Sequence, residues 1–452
     1  MIYPKQHALS TKEIEKLCES YRKHNFIDAE TSESYGVKRG LRNSDGTGVL
    51  AGLTNICDVV GYDKDDEGNV LPIDGKLYYR GYDIEEIINY PDNQDRFLFE
   101  EICWLLLFGE LPTSEELTKF SLLLDEHREL PEGFAETMIF SAPSKNIMNK
   151  MMRSVLAMYT YDEDPDNTSL ENVMSQSIQL ISQLPTMMIY AYQAKVHAFD
   201  HGSLFFHYPN KGLSSAEHIL AISRDNQEYT KEEAKLLDTC MILHADHGGG
   251  NNSTFTSRVL SSTGTDTYSA IAAAIGSLKG PKHGGANLKV NAQLENILEN
   301  VKDINDTNIK DYLHKIINKE ANDGSGLIYG MGHAVYTLSD PRAQLLKKQL
   351  KELVNNTPYE KEYMVLDAIE RLAPTAFKEE RNSDKAICAN IDLYSGLVYK
   401  VLGLSSDLYT PLFAVARIPG WCAHRIEELE FANRIMRPAY KCIQETKTYK
   451  KK

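Results

Sequence analysis

Helical periodicity is the feature that most limits what this chain can fold into. Residues 230–247 begin with a Thr-x-x-Glu capping box, and their apolar side chains recur every three or four positions. Residues 340–353 begin with an Asp-Pro pair, which suits the N-cap and the first position of a helix. Residues 287–301 have the same apolar spacing. We therefore predict a mainly α-helical protein.

Strand signals are limited to one stretch, residues 54–82. Its alternating residues are interrupted by Asp-Glu-Gly-Asn at 66–69 and by Asp-Gly at 74–75. Both are turn sequences, so the stretch predicts a few short β-hairpins near the N-terminus that turn at these two places. Residues 269–280 are rich in Ala and Gly, which favours helices packed at short distance.

Composition excludes several classes of protein. The chain has 452 residues and a net charge of −15, from 49 Lys and Arg against 64 Asp and Glu, which argues against nucleic-acid binding. No apolar run approaches the roughly 20 residues that span a bilayer, and the N-terminus lacks the pattern of a signal or transit peptide. The seven cysteines are scattered without a CxxC pair, which is typical of reduced thiols. We expect a cytoplasmic protein that binds neither nucleic acid nor membranes.

Three histidines lie beside glycines: His247 in HADHGGGNNS, His283 in GPKHGGAN and His333 in YGMGHAVY. Any one alone could be an ordinary helix-end histidine. His247 is predicted at the C-terminal end of its helix, where the dipole favours a cation and thus an anionic ligand. His283 is predicted just before a helix N-terminus, which favours neutral imidazole. Neutral imidazole can donate a hydrogen bond to an enolate oxygen.

A metal site is an alternative for the first of these segments. His244 and His247 are three residues apart, and Asp246 could add an oxygen ligand. However, His244 falls on the apolar face of its helix, which favours a core histidine, and the glycine-flanked histidines have no recognisable ligand spacing. We therefore expect no metal, and keep a metal-dependent hydrolase as a remote alternative.

One aspartate and three arginines complete the candidate residues. Asp392 in NIDLYSG could be a helix cap or turn residue, but among apolar neighbours its carboxylate would be a stronger base than in water. Arg342 is predicted in a first helical turn, Arg417 just before a Pro-Gly break, and Arg437 just before a proline. Each could form an ordinary salt bridge. Together they could bind a dicarboxylate, because guanidinium groups pair bidentately with carboxylates.

Six segments, in order, resemble the active-site segments of the citrate synthase family. They are HADHGGGNNSTFTSR, GPKHGGAN, GMGHAVYTLSDPR, NIDLYSG, FAVARIPGWCAH and NRIMRP. The resemblance extends from about residue 50 to near the C-terminus. It implies an acyltransferase that condenses acetyl-CoA with oxaloacetate and water to give citrate and CoA, through an enol and citryl-CoA. Acetyl-CoA is then a substrate, and neither a cofactor nor a metal is required.

The resemblance also implies a role for each candidate residue. Asp392 would take the methyl proton, His283 would stabilise the enol oxygen, and His333 would polarise and protonate the oxaloacetate carbonyl. The carboxylates would be held by four residues, His247, Arg342, Arg417 and Arg437. Arg437 would reach across from the other subunit of a homodimer.

The family fold implied is helical and has two domains. We expect an N-terminal extension at 1–50, a large domain at 51–284 and 390–452, and a small domain at 285–389 that closes over the substrate. Thr337 stands where relatives often carry a basic CoA-binding residue, so the CoA contacts are not assigned. Two alternatives stay open within this fold: a 2-methylcitrate synthase that uses propionyl-CoA, and a non-catalytic relative.

Overall fold

The computed structural model describes residues 11–93, 95–382, 386–432 and 434–449. In that part of the chain, no helix is long and apolar enough to cross a membrane. The chain divides into two compact units, one ending at Ala51 and the other beginning at Gly52. The first contains helices α1 (Thr11–His24) and α2 (Ala29–Ser34) and an isolated β-bridge between Arg42 and Gly48. The predicted division of 51–452 into a large and a small domain stays a prediction.

The second unit is mainly helical, as predicted. Its α-helices are α3 (Ile84–Asn89), α4 (Phe99–Phe108), α5 (Ser114–Glu126), α6 (Ile147–Met158), α7 (Leu170–Phe199), α8 (Ser215–Ser223), α9 (Lys231–His244), α10 (Asn252–Ser261), α11 (Thr267–Leu278), α12 (Ala286–Asn300), α13 (Asp306–Ile317), α14 (Pro341–Val354), α15 (Glu360–Arg381), α16 (Asp392–Val401) and α17 (Tyr409–Phe431). The three helices predicted from their apolar spacing are confirmed as α9, α12 and α14. The capping box of α9 and the N-cap aspartate of α14 are also present.

The strands form one antiparallel sheet, β1 (Cys57–Lys64), β2 (Val70–Tyr79) and β3 (Tyr82–Asp83), in the order β1-β2-β3. The turn predicted at 66–69 is confirmed, since it connects β1 and β2. The turn predicted at 74–75 is wrong, because Asp74 and Gly75 lie inside β2. Gly75 is required there for close packing: a Cβ at this position would lie 2.6 Å from the ring of Tyr336.

Helix α17 forms the centre of the second unit, where it contacts α4, α7, α9, α10 and α11. The Pro-Gly break predicted after Arg417 is wrong, because α17 continues through Pro419 and Gly420. Both residues are buried, so packing of the helix on all sides outweighs the local preference of proline to end it. Arg417 is consequently held in the middle of a rigid helix.

Candidate active site

His333 is positioned by the loop between Gly330 and α14. Its Nδ1 accepts the backbone N–H groups of Val335 at 3.1 Å and Tyr336 at 3.0 Å. Because Nδ1 uses its lone pair in this way, the proton of the neutral ring is on Nε2, which is therefore a hydrogen-bond donor. The ring also stacks on Tyr336, with centroids 4.6 Å apart. This orientation suits donation to a carbonyl oxygen.

His247 lies beside His333, with ring centroids 5.1 Å apart. The prediction that it ends a helix and favours a cation is wrong: α9 ends at His244, and His247 is buried. Burial, and then the charge of Arg342, lower the pKa of His247 well below its usual value. Its Nε2 is buried and has no hydrogen-bond partner in the described residues. A buried nitrogen in this state can pair with a bound ligand.

Arg342 lies in the first turn of α14, as predicted, and is buried. Its Nε and Nη2 donate to Asp340, at 3.0 and 2.7 Å, and Asp340 also caps the helix. This pairing raises the pKa of Arg342 despite burial. The Arg342 guanidinium lies 5.7 Å from the ring centre of Tyr336, and that ring also contacts His333 and His247. Arg342 is therefore a fixed positive charge near the two histidines.

Arg417 is fully buried, and burial lowers its pKa. Its Nε donates to the carbonyl oxygen of His244, and the guanidinium lies 4.8 Å from the ring centre of Phe413. Both terminal nitrogens, Nη1 and Nη2, are buried without a hydrogen-bond partner among the described residues. A buried guanidinium with two unused donors matches the two oxygens of a carboxylate.

His283 follows the prediction that it precedes a helix, since α12 begins at Ala286. Burial, and then the charge of Arg417, lower its pKa to about 4, so the ring is neutral near pH 7. The neutral form agrees with the prediction, although burial is the main cause rather than the helix N-terminus. The His283 Nε2 lies 3.1 Å from Ser253 Oγ. Ser253 Oγ accepts a hydrogen bond from Trp421 Nε1 at 3.1 Å.

Asp392 is the first residue of α16 and does not cap it. Its backbone N–H donates instead to Asn390 Oδ1, at 3.1 Å. Burial raises the pKa of Asp392 to about 6, although the charges of Arg342 and Arg417 oppose this. Its Oδ1 is buried and has no partner in the described part of the chain. Asp392 is thus a desolvated carboxylate that is ionised near pH 7.

Two candidates from the sequence lie outside this group. Arg437 is exposed, in a segment beyond the end of α17, so this protomer does not bring it to the others. His244 is a core residue: Nδ1 lies 2.7 Å from the Cys240 carbonyl oxygen, and its ring packs against Phe413. Among the residues that the structure describes, no group of three or more His, Cys, Asp or Glu could hold a metal ion.

The structure adds four residues that the sequence did not identify: Ser253, Tyr336, Asp340 as a partner of arginine, and Phe413. Ser253 and Tyr336 fall within quoted motifs, but nothing in their spacing indicates contact with a histidine. Asp340 was identified only as a helix cap. Phe413 contacts three candidates, His244, Arg417 and His283, and its ring centre is 6.2 Å from that of His283.

Known proteins that are similar to this chain belong to one family. A family model described as "Citrate synthase, C-terminal domain" matches residues 43–439. The citrate synthase of Synechocystis sp. is 34% identical over 366 residues, covering 81% of this chain and 84% of that protein. The 2-methylcitrate synthase 1 of Corynebacterium glutamicum is 31% identical over 419 residues, covering 90% and 96% respectively.

Solved structures give the same result. The citrate synthase of Thermoplasma acidophilum, in a ternary complex with carboxymethyl coenzyme A and oxaloacetate, has a TM-score of 0.74 at 28% identity. The match covers 91% of this chain and 98% of that one. The citrate synthase of Thermotoga maritima has a TM-score of 0.71 at 29% identity, covering 91% and 97%. The chain belongs to the citrate synthase family of enzymes.

Proposed function

We propose that this protein condenses acetyl-CoA with oxaloacetate and water to give citrate and CoA. The observation that carries this proposal is a set of buried polar atoms that have no hydrogen-bond partner among the described residues: Arg417 Nη1 and Nη2, His247 Nε2 and Asp392 Oδ1. Leaving such atoms unpaired costs free energy of folding. Their presence together is explained if bound substrates provide the missing hydrogen-bond partners. The set contains a carboxylate-binding group and a base, as the condensation requires.

Oxaloacetate binding would use the positive charges. Arg417 would donate two hydrogen bonds to one carboxylate, and Arg342 and His247 would contribute to the dicarboxylate site. The His333 Nε2 proton would then be donated to the ketone oxygen. This polarises the ketone carbon for attack, and full transfer of the proton gives the alcohol of the product.

Enol formation would use Asp392 and His283. Asp392 takes a proton from the methyl group of acetyl-CoA, and the electrons of that C–H bond form the enol double bond. His283 donates a hydrogen bond to the thioester oxygen, where negative charge develops. Such preorganised donors are typically worth about 3 kcal/mol to the transition state.

The enol carbon then attacks the ketone carbon, which forms the new C–C bond and citryl-CoA. Water attacks the thioester carbonyl carbon, the C–S bond breaks, and CoA leaves as the thiol. Each of these steps uses only proton transfer and hydrogen bonding by this chain's residues. The chemistry therefore requires neither a metal nor a redox cofactor.

The test is release of CoA thiol from acetyl-CoA with and without oxaloacetate, after dialysis against a chelator. We expect release that depends on oxaloacetate and is unchanged by the chelator. Loss of activity with the chelator would support the metal-dependent hydrolase. Binding of oxaloacetate without thiol release would indicate a non-catalytic relative.

A second candidate is 2-methylcitrate synthase, which would use propionyl-CoA in the same site. The observation in its favour is the relative from Corynebacterium glutamicum with that name, which matches 90% of this chain. One added methylene is worth only about 1–3 kcal/mol of discrimination. Steady-state kinetics with acetyl-CoA and propionyl-CoA, each with oxaloacetate, decide between the two, and a higher kcat/KM for propionyl-CoA would overturn the first candidate.

We also propose that the protein works as a homodimer in which Arg437 completes the partner's site. The exposure of Arg437 supports this proposal. The neighbouring residue, Met436, is held in place because its backbone N–H donates to Ser262 Oγ at 3.0 Å. Coexpression of Arg437→Leu with Asp392→Asn tests the idea. In the mixed dimer, one of the two sites has an intact Asp392 and receives an intact Arg437 from the other chain. About half of the dimers are mixed under random pairing, so about a quarter of wild-type activity returns. No recovery would show that Arg437 acts within its own chain.

Two further proposals concern movement and location. Residues 285–389, which include α12 to α15, would form the small domain that closes over the substrates. The proposed location is the cytoplasm, supported by the seven cysteines, all within the described residues and all free thiols.

A further inference from the structure

One stripe of helix α17 contacts the segment that leads into His247. Its residues are Arg417, Gly420 and His424, spaced three and four apart. Arg417 donates to the His244 carbonyl, and a Cβ on Gly420 would lie 2.9 Å from Asp246 Oδ1. The absence of a side chain at Gly420 therefore allows Asp246 to approach the helix that carries Arg417.

His424 fixes the Asp246 carboxylate through a defined tautomer. Its Nδ1 is 3.1 Å from Arg258 Nε and 2.7 Å from Arg258 Nη2. A guanidinium can only donate, so His424 carries its proton on Nε2 and donates it to Asp246 Oδ2, 2.8 Å away. Arg258 is held in turn by Glu428 at 2.9 Å and by Glu427. Asp246 and His424 are fully buried.

Asp246 is therefore a fixed negative charge inside the protein. Burial acts to raise its pKa, but His424 and Arg417 outweigh burial and the pKa lies below its usual value. The charge of Asp246 in turn acts to raise the pKa of Arg417. Within the described residues, however, Asp246 makes no hydrogen bond to Arg417, whose Nη1 and Nη2 stay open. The carboxylate balances the guanidinium without blocking it.

We propose that Asp246 limits the affinity of the anion site so that the product can leave. This inference rests on the proposed function, in which a substrate with two negative charges becomes a product with three. Repulsion from Asp246 grows with ligand charge, so it weakens the tricarboxylate more than the dicarboxylate. Tighter ground-state binding would not raise kcat, and it would slow product release. His424 and Arg258 are positioning residues, because they hold Asp246 in place.

The test is Asp246→Asn, which keeps an acceptor for the His424 proton and removes the charge. Dissociation constants for oxaloacetate and citrate are measured by calorimetry without acetyl-CoA. By Coulomb's law at an effective dielectric of about 20, two unit charges roughly 12 Å apart change affinity about tenfold, which we take as the upper estimate for each ligand charge. We expect Asp246→Asn to bind oxaloacetate at least about threefold more tightly than the wild type does. The gain in citrate affinity should be at least about threefold larger than the gain in oxaloacetate affinity, and kcat should fall.

Two further variants separate charge from structure. Asp246→Ser removes the same charge and leaves room for water beside His424, so it should also tighten citrate binding. His424→Gln keeps the charge and a donor near Nε2 but gives up the contact with Arg258, so it should not tighten either anion. Weaker or unchanged citrate binding in both Asp246 variants would overturn the proposal.

The binding measurements on the Asp246 variants also distinguish a failure of this proposal from a failure of the proposed function. If the wild type forms no citrate but both Asp246 variants bind tricarboxylates more tightly, the proposed reaction is wrong and the role of the charge is retained. If the wild type forms citrate and neither variant binds it more tightly, the reaction is retained and the role of Asp246 is wrong.

Discussion

Asp392→Asn should stabilise the protein, and more so as the pH rises. Burial raises the pKa of Asp392 from 3.8 to about 6, so the folded state holds this proton more tightly than the unfolded chain does. A raised carboxyl pKa means that stability is lost as the pH increases from about 4 to about 6, and the full cost is present above that range. Asparagine has nearly the same shape and carries no charge at any pH, so it avoids this cost.

The size of the effect follows from the shift of about two pKa units. At 1.36 kcal/mol per unit, the wild type loses about 3 kcal/mol of stability at pH 8 and roughly half as much at pH 5. A chain of this length has an unfolding entropy of roughly 1 kcal/mol per degree. The Tm of Asp392→Asn should therefore exceed that of the wild type by about 3 °C at pH 8 and by about 1.5 °C at pH 5.

The assay is differential scanning calorimetry of both proteins between pH 5 and pH 8, at one protein concentration and without ligands. Asp66→Asn, in an exposed turn, is the control for a general effect of charge and should show no such trend. The catalytic rate of the wild type should fall below about pH 6, as the base becomes protonated. A Tm difference that is constant with pH, or larger at pH 5, would refute the reasoning.

Three other substitutions test the site. Arg417→Leu removes two charge-assisted donors and should weaken oxaloacetate binding at least about tenfold by calorimetry; an unchanged affinity would contradict a carboxylate clamp. Ser253→Ala removes the hydroxyl that contacts the His283 ring, so it should lower kcat about tenfold without changing oxaloacetate affinity. Ser257→Ala is the control and should leave kcat unchanged, because its buried hydroxyl has no partner in the described residues. Gly75→Ala places a Cβ 2.6 Å from the ring of Tyr336, which supports the site, so it should lower the Tm and weaken oxaloacetate binding. Gly52→Ala should do neither, because no other part of the described chain lies within 4 Å of its Cβ.

The fold was predictable wherever local signals agree with packing. Helices α9 and α14 carry both apolar spacing and capping residues, α12 carries the apolar spacing, and all three form. Two errors arose where packing outweighs a local preference: the Asp-Gly pair at 74–75 lies within a strand, and the Pro-Gly pair at 419–420 lies within a helix. In both cases glycine is needed for close approach to another segment, which no local pattern reveals.

The sequence predicted which residues form the candidate site better than it predicted their charge states. The sequence identified histidines beside glycines, arginines near prolines and one aspartate. Of the seven residues expected to act on or bind the substrates, six come together in one protomer. The charge state of His247 was wrong because helix position was considered without burial, and burial dominates here. The pairing of Asp340 with Arg342 and the contact of Ser253 with His283 depend on three-dimensional proximity, so their sequence positions alone do not indicate them.

The unused donors of Arg417 also bear on how this protein tolerates heat. A bound anion would pair these buried donors, so any anion that fits the site stabilises the folded state by mass action. At a concentration one hundred times its dissociation constant, such an anion adds about 2.7 kcal/mol. Thermal melting is then a label-free screen for metabolites that bind at Arg417, and in a cell the abundance of such metabolites would affect how long each molecule survives proteolysis.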